Sequence, residues 1–82
     1  MEKVHIEERV ERYIREEILD GESIQPDTPL FSAGLINSMN LVRLLSFLEE
    51  EFDQRIPTAQ VNVNTLDTIE SITEMVFDIK NR

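Results

Sequence analysis

The sequence predicts an all-α fold, a small four-helix bundle of three main helices and one short helix, from three observations. Apolar residues recur at three- and four-residue spacing in three separate segments. Side chains suited to capping stand at the heads of the later segments. The one alternating stretch is too short and too isolated to build a sheet. With 82 residues and no internal repeat there is room for one core, so a single domain over residues 1–82 is expected.

The first helix is expected from Glu2 to Asp20, with Ile6, Val10, Tyr13, Ile14, Ile18 and Leu19 on its buried face and Gly21 as its stop. Residues 22–37 carry Pro26, Pro29 and Gly34 among the turn formers Asp27, Ser32 and Asn37, and so read as an ordered loop. Leu30, Phe31, Leu35 and Ile36 are its expected anchors. A loop of this length in so small a domain points to function.

The second helix is expected to begin at Ser38, whose hydroxyl is suited to cap an orphan amide of the first turn. Leu41, Leu44, Leu45, Leu48 and Phe52 form its core stripe, and Pro57 blocks continuation beyond Phe52 or Asp53. At about 100° per residue, Met39, Arg43, Ser46 and Glu50 share the opposite, outward face, which starts beside Ser38. Asn62 is placed to cap a short turn through Leu66, and Thr68 to cap a last helix with Ile69, Ile72, Met75, Val76 and Ile79 as its buried stripe.

Composition removes several function classes. No cysteine and a single histidine, His5, leave no disulfide framework, no thiol nucleophile and no zinc cluster. Seventeen acidic against eight basic residues give a net charge of −9, which disfavours nucleic acid and anionic membranes and favours protein partners with basic patches. The N-terminal residues from Met1 lack the apolar run of a signal peptide, and no stretch is apolar enough to span a bilayer. A cytoplasmic monomer is the expectation.

Gly34-Leu35-Ile36-Asn37-Ser38-Met39, followed by the helix from Leu41 to Phe52, resembles the acyl and peptidyl carrier protein family. The similarity extends over Asp27-Thr28-Pro29-Leu30, Leu48-Glu49-Glu50-Glu51-Phe52, Ile56-Pro57 and the Leu66 to Ile72 entry of the last helix. It implies an acyl-carrier-like bundle with no catalytic activity of its own. Ser38 would be the attachment point of a covalent 4'-phosphopantetheine arm, received from coenzyme A through a phosphopantetheinyl transferase that brings its own base and metal. A helix N-terminus is electrostatically suited to the resulting phosphodiester. Nothing in the sequence activates the Ser38 hydroxyl: His5 lies far away, on the Arg9 and Arg12 side of the first helix, and no nucleophile elbow is present.

Two departures from the family pattern concern partners. Asn37 stands where an aspartate is usual, and Arg43 where many members carry an acid, so both bear on partner choice. Acidic residues of this helix meet basic patches of partner enzymes in the family, which favours Glu50 as a contact because it shares the Met39 face, with Glu49 and Glu51 left open. Met39 is expected as an exposed apolar contact and Met75 as core. Phe47 either covers the bundle or touches cargo.

The resulting expectation is a discrete carrier that holds acyl intermediates as thioesters on Ser38. It would deliver them to a downstream synthase or transferase of polyketide, nonribosomal peptide or fatty-acid type. The alternatives are an aminoacyl or peptidyl carrier loaded by an adenylating enzyme, and a non-covalent acidic adaptor in which Ser38 is only a cap.

Overall fold

The computed structural model describes residues 2–81; Met1 and Arg82, which the expected 1–82 domain includes, lie outside the described residues. It contains α1 (Lys3–Tyr13), α2 (Ser38–Glu51), α3 (Val63–Leu66) and α4 (Ile69–Lys80), and no strand among the described residues. Val61 to Asn64 therefore forms no strand: Val61 and Asn62 are extended, but Asn62 caps α3, which starts at Val63, and Gln60 closes a 3₁₀ turn over Thr58–Gln60 that the sequence did not announce.

One apolar core joins the elements. Ile6 and Val10 of α1, with Ile14 just beyond it, meet Leu44 and Leu48 of α2 and Ile69, Ile72, Met75 and Val76 of α4. Leu30, Ile36, Phe52, Ile56 and Leu66 complete this cluster from the connections and α3. The outer members of the expected stripes, Leu41, Leu45 and Ile79, are only half-buried. Such edge positions border the solvated faces, so a period of 3.6 residues marks the stripe better than its margins.

The first helix is not one continuous α-helix. After Tyr13 the chain widens into a π-helical turn over Ile14–Ile18, with the amide of Leu19 donating to Ile14 O at 2.9 Å. The spacing of Ile14, Ile18 and Leu19 suits either geometry, which hides the change from sequence. Asp20 and Gly21, at φ 58° and 90°, then reverse the chain. Gly21 acts as the expected stop, preceded by an aspartate that also takes the left-handed conformation.

The heads of α2, α3 and α4 use the same device. In each, the residue before the helix accepts a bond from the amide three positions on, whose own side chain returns to the capping amide: Asn37 with Asn40, Asn62 with Thr65, and Thr68 with Ser71. The end of α2 is closed from outside, where Lys80 Nζ donates to Phe52 O at 2.7 Å and places a cation at the negative helix terminus.

Candidate functional site

The loop before α2 decides where Ser38 sits. Leu30 and Ile36 are fully buried, Phe31 is partly so, and Leu35, expected as an anchor, is exposed. Burying two such side chains contributes about 1.5–3 kcal/mol each, whereas ordering backbone costs about 1–2 kcal/mol per residue, so further ties are required. Asp67, between α3 and α4, supplies them. Its Oδ1 accepts the amides of Phe31 at 2.8 Å and Ser32 at 2.9 Å, and its Oδ2 accepts the Ser32 hydroxyl at 2.8 Å. The Ser32 amide and hydroxyl, with a lesser contribution from the Phe31 amide, hold the Asp67 carboxyl below its ordinary pKa against an opposing desolvation. Asp67 O also accepts the Leu30 amide at 2.6 Å, while Leu30 O accepts those of Leu35 and Ile36 at 2.8 and 3.1 Å. Gly34 makes this closure possible by taking φ 76°.

From Ile36 the chain enters α2 through Asn37, and here the expected cap is corrected. Ser38 is the first helical residue, and Asn37 is the cap, because the extended backbone at Asn37 aims its side chain into the first turn. Asn37 Oδ1 accepts the amides of Met39 and Asn40, both at 3.0 Å, and Asn40 Oδ1 accepts the Asn37 amide at 3.4 Å. Two of the amides expected to be free for an anion are thus already bonded. The positive end of the helix dipole remains.

Ser38 itself is exposed, and its hydroxyl takes part in no hydrogen bond among the described residues. It is sterically open and chemically unactivated among the described residues. The surroundings suit a covalently held phosphodiester: Asn37 is a neutral cap, and residues 28–48 contain neither Asp nor Glu. No carboxylate of this stretch would repel the anion.

Met39, Arg43, Ser46 and Glu50 are all exposed, as the helical spacing requires. Arg43, Ser46 and Glu50 line one shallow groove with Tyr13, Val42 and Phe47, whereas Met39 stands apart at the head of the helix. Glu49 and Glu51 are committed within the molecule: Glu49 Oε2 accepts the Ile56 amide at 2.9 Å, and Glu51 pairs with Arg9. Glu50 alone of the three is left for a partner. Phe47 covers the bundle: its ring stacks on Tyr13 with centroids 4.1 Å apart and meets the edge of Phe52 at 6.3 Å, on the side facing α1. Met75 is buried as expected.

Besides Val4 in α1, sequence reasoning missed three exposed apolar side chains, Leu35, Val42 and Val63. Val42 was legible, since it falls off the core stripe; Leu35 and Val63 were not, because neither lies in a long periodic segment. An apolar cavity of about 140 Å³ opens between Phe31, Leu41, Val61, Val63 and Leu66.

The bundle thus presents an unactivated, solvent-exposed serine at a neutral helix head. A family model described as a phosphopantetheine attachment site matches residues 8–76, and the chain belongs to that family of carrier proteins. The chain is similar to the D-alanyl carrier protein of Streptococcus sanguinis, 32% identical over 79 residues, covering 96% of this chain and 95% of that protein. It is also similar to those of Streptococcus mutans, 30% identical over 76 residues (93% and 96% covered), and Lactobacillus acidophilus, 35% over 65 residues (77% and 82% covered). The protein is a carrier and not an enzyme, and its prosthetic group is covalent 4'-phosphopantetheine. A phosphopantetheinyl transferase and a loading enzyme are the partners that such a carrier implies.

Proposed function

We propose that Ser38 carries the arm and that its cargo is a small aminoacyl group, D-alanine in the first instance. The observation that carries this reading is the similarity to D-alanyl carrier proteins over nearly the whole chain. The relatives favour the aminoacyl alternative over the acyl intermediates of polyketide or fatty-acid pathways, for which no specific observation speaks.

The arm supplies a terminal thiol that bears the cargo as a thioester. The protein's own residues do the rest. The Asp67 latch and the Asn37 cap hold the Ser38 hydroxyl at a fixed, solvent-facing point, so that an arm attached there sweeps a defined volume. Confinement to that volume raises the effective concentration of cargo at any enzyme docked beside α2. The cavity near Phe31 and Leu41, at about 140 Å³, is below the roughly 300 Å³ at which ligand pockets begin. Its apolar lining would also penalise a charged ammonium. Both features support a cargo that stays in water outside the bundle. Asn37, Met39, Arg43, Ser46 and Glu50 are the residues proposed to meet partner enzymes, in the cytoplasm.

Intact mass spectrometry tests the reading in two stages. The wild-type chain, given coenzyme A and a broad-specificity phosphopantetheinyl transferase, gains one arm, and Ser38→Ala gains none. The modified protein, given D-alanine, ATP and a D-alanine-adenylating enzyme, then gains one alanyl group that hydroxylamine removes. Normal modification of Ser38→Ala would overturn the site; refusal of D-alanine by the modified protein would overturn the cargo.

A further inference from the structure

Both lysines of this chain stand far from Ser38. α1 runs antiparallel to α2, since Tyr13 stacks on Phe47 and donates to Arg43 O at 3.3 Å, whereas Arg9, a turn earlier, pairs with Glu51. Lys3 and His5, earlier still in α1, therefore lie toward the closing end of α2. Lys80 is fixed at that same end by its bond to Phe52 O, fourteen residues and about 21 Å along the helix axis from Ser38. Both amines are also engaged. Lys3 Nζ bonds to Glu74 Oε1 at 2.7 Å and lies 5.1 Å from the centre of the Phe77 ring, and Lys80 Nζ closes α2. The cations nearer Ser38 among the described residues are all arginines: Arg43 in α2, about 7.5 Å along the axis, and Arg12 and Arg15 on either side of Tyr13 in sequence.

We infer that this division keeps the bundle from being acylated by its own cargo, with Arg43 placing positive charge beside the arm in a form that does not take the acyl group. The inference rests on the reading that Ser38 carries the arm, and not on which acyl or aminoacyl group is carried. A thioester on a tether meets the surface around its anchor at an effective concentration of about millimolar. An amine within that reach would form a C–N bond to the cargo carbonyl as the C–S bond breaks. The arm would depart as its thiolate, and the proton of the new ammonium would pass to water, leaving the cargo on the bundle as an amide. A lysine side chain of ordinary pKa exposes a small fraction of free, nucleophilic amine near neutral pH, whereas a guanidinium keeps its proton throughout. With no cysteine in the chain and His5 in the first turns of α1, amines are the nucleophiles whose placement matters most. Arginine beside Ser38 and lysine at the far end of α2 let the surface stay charged while the thioester survives.

The test loads Ser38 with an acetylated arm from acetyl coenzyme A, using a broad-specificity phosphopantetheinyl transferase, so that no cognate loading enzyme is needed. The loaded protein is held overnight at about pH 8.5, where the free-amine fraction is raised, and hydroxylamine-resistant acetyl groups are located by intact mass and peptide mapping. Arg43→Lys keeps the charge, and Val42→Lys puts an amine one turn beyond Ser38 on the same side of α2. Each is expected to form the amide at the substituted position at least about tenfold faster than either lysine of the wild type, because a millimolar effective concentration exceeds that of protein at about 10 μM. Arg55→Lys, beyond the end of α2, should stay at the wild-type level. Variants with intact circular dichroism that hold the thioester as long as wild type would overturn the inference, as would acetylation of Lys3 or Lys80 at the rate of the substituted positions. A wild-type chain that accepts no arm would instead overturn the reading of Ser38, and this inference with it.

Discussion

Asn37 and Asn40 exchange side-chain and backbone hydrogen bonds across the first turn of α2, and Ser38, lying between them, joins in neither. Capping thus falls to Asn37 and leaves the adjacent Ser38 hydroxyl outside it. Removing the Asn37 side chain strips the cap, so Asn37→Ala should lower stability by about 1 kcal/mol, while Ser38→Ala should stay within about 0.5 kcal/mol of wild type. Urea denaturation of the two variants checks this. Equal losses would mean that the serine shares the capping.

Asp67→Asn should loosen the loop that sets Ser38 in place. Because the folded pKa of Asp67 is lowered, its contribution to stability is fully present above the unfolded value, near 3.8, and is lost as pH falls through the folded value. The variant should therefore melt below wild type at neutral pH, and the gap should close in acid. A gap independent of pH would assign the effect to something other than the carboxylate. Hydrogen exchange at Phe31 and Ser32 should quicken in the variant at neutral pH.

The stack of Phe47 on Tyr13 ties α1 to α2. Phe47→Ala should cost about 1–3 kcal/mol through lost packing, whereas Tyr13→Phe, which removes only the exposed bond from the hydroxyl to Arg43 O, should cost less than about 1 kcal/mol. Thermal melts of both variants make the comparison. Arm attachment at Ser38 should proceed in each at the wild-type rate when the variant is folded.

Salt should raise the melting temperature. Three ion pairs are formed among the described residues, Lys3 with Glu74, Arg9 with Glu51 and Arg15 with Glu11, leaving most of the seventeen acids to repel one another. A rise of a few degrees between about 0.02 and 0.5 M sodium chloride is expected from screening alone. A flat or falling response would show that like-charge repulsion does not limit this fold.

The sequence by itself determined the helical class, the four helices, the heads of α3 and α4, and the exposed position of Ser38 and of the face that follows it. These are local matters: a period of 3.6 residues and the chemistry of Asn62 and Thr68 state their outcome within a few positions. The exchange of roles between Asn37 and Ser38 was near to hand, since both residue types cap, but only backbone direction at position 37 chooses between them. Other features depended on residues far apart in the chain. Asp67 holds Phe31 and Ser32 from more than thirty positions away, Glu49 turns inward to Ile56, Phe47 finds Tyr13, and Ile14 to Ile18 widen into a π-turn. Periodicity says which side of a helix faces the core, but not which distant amide a carboxylate will meet; that is decided when the helices pack.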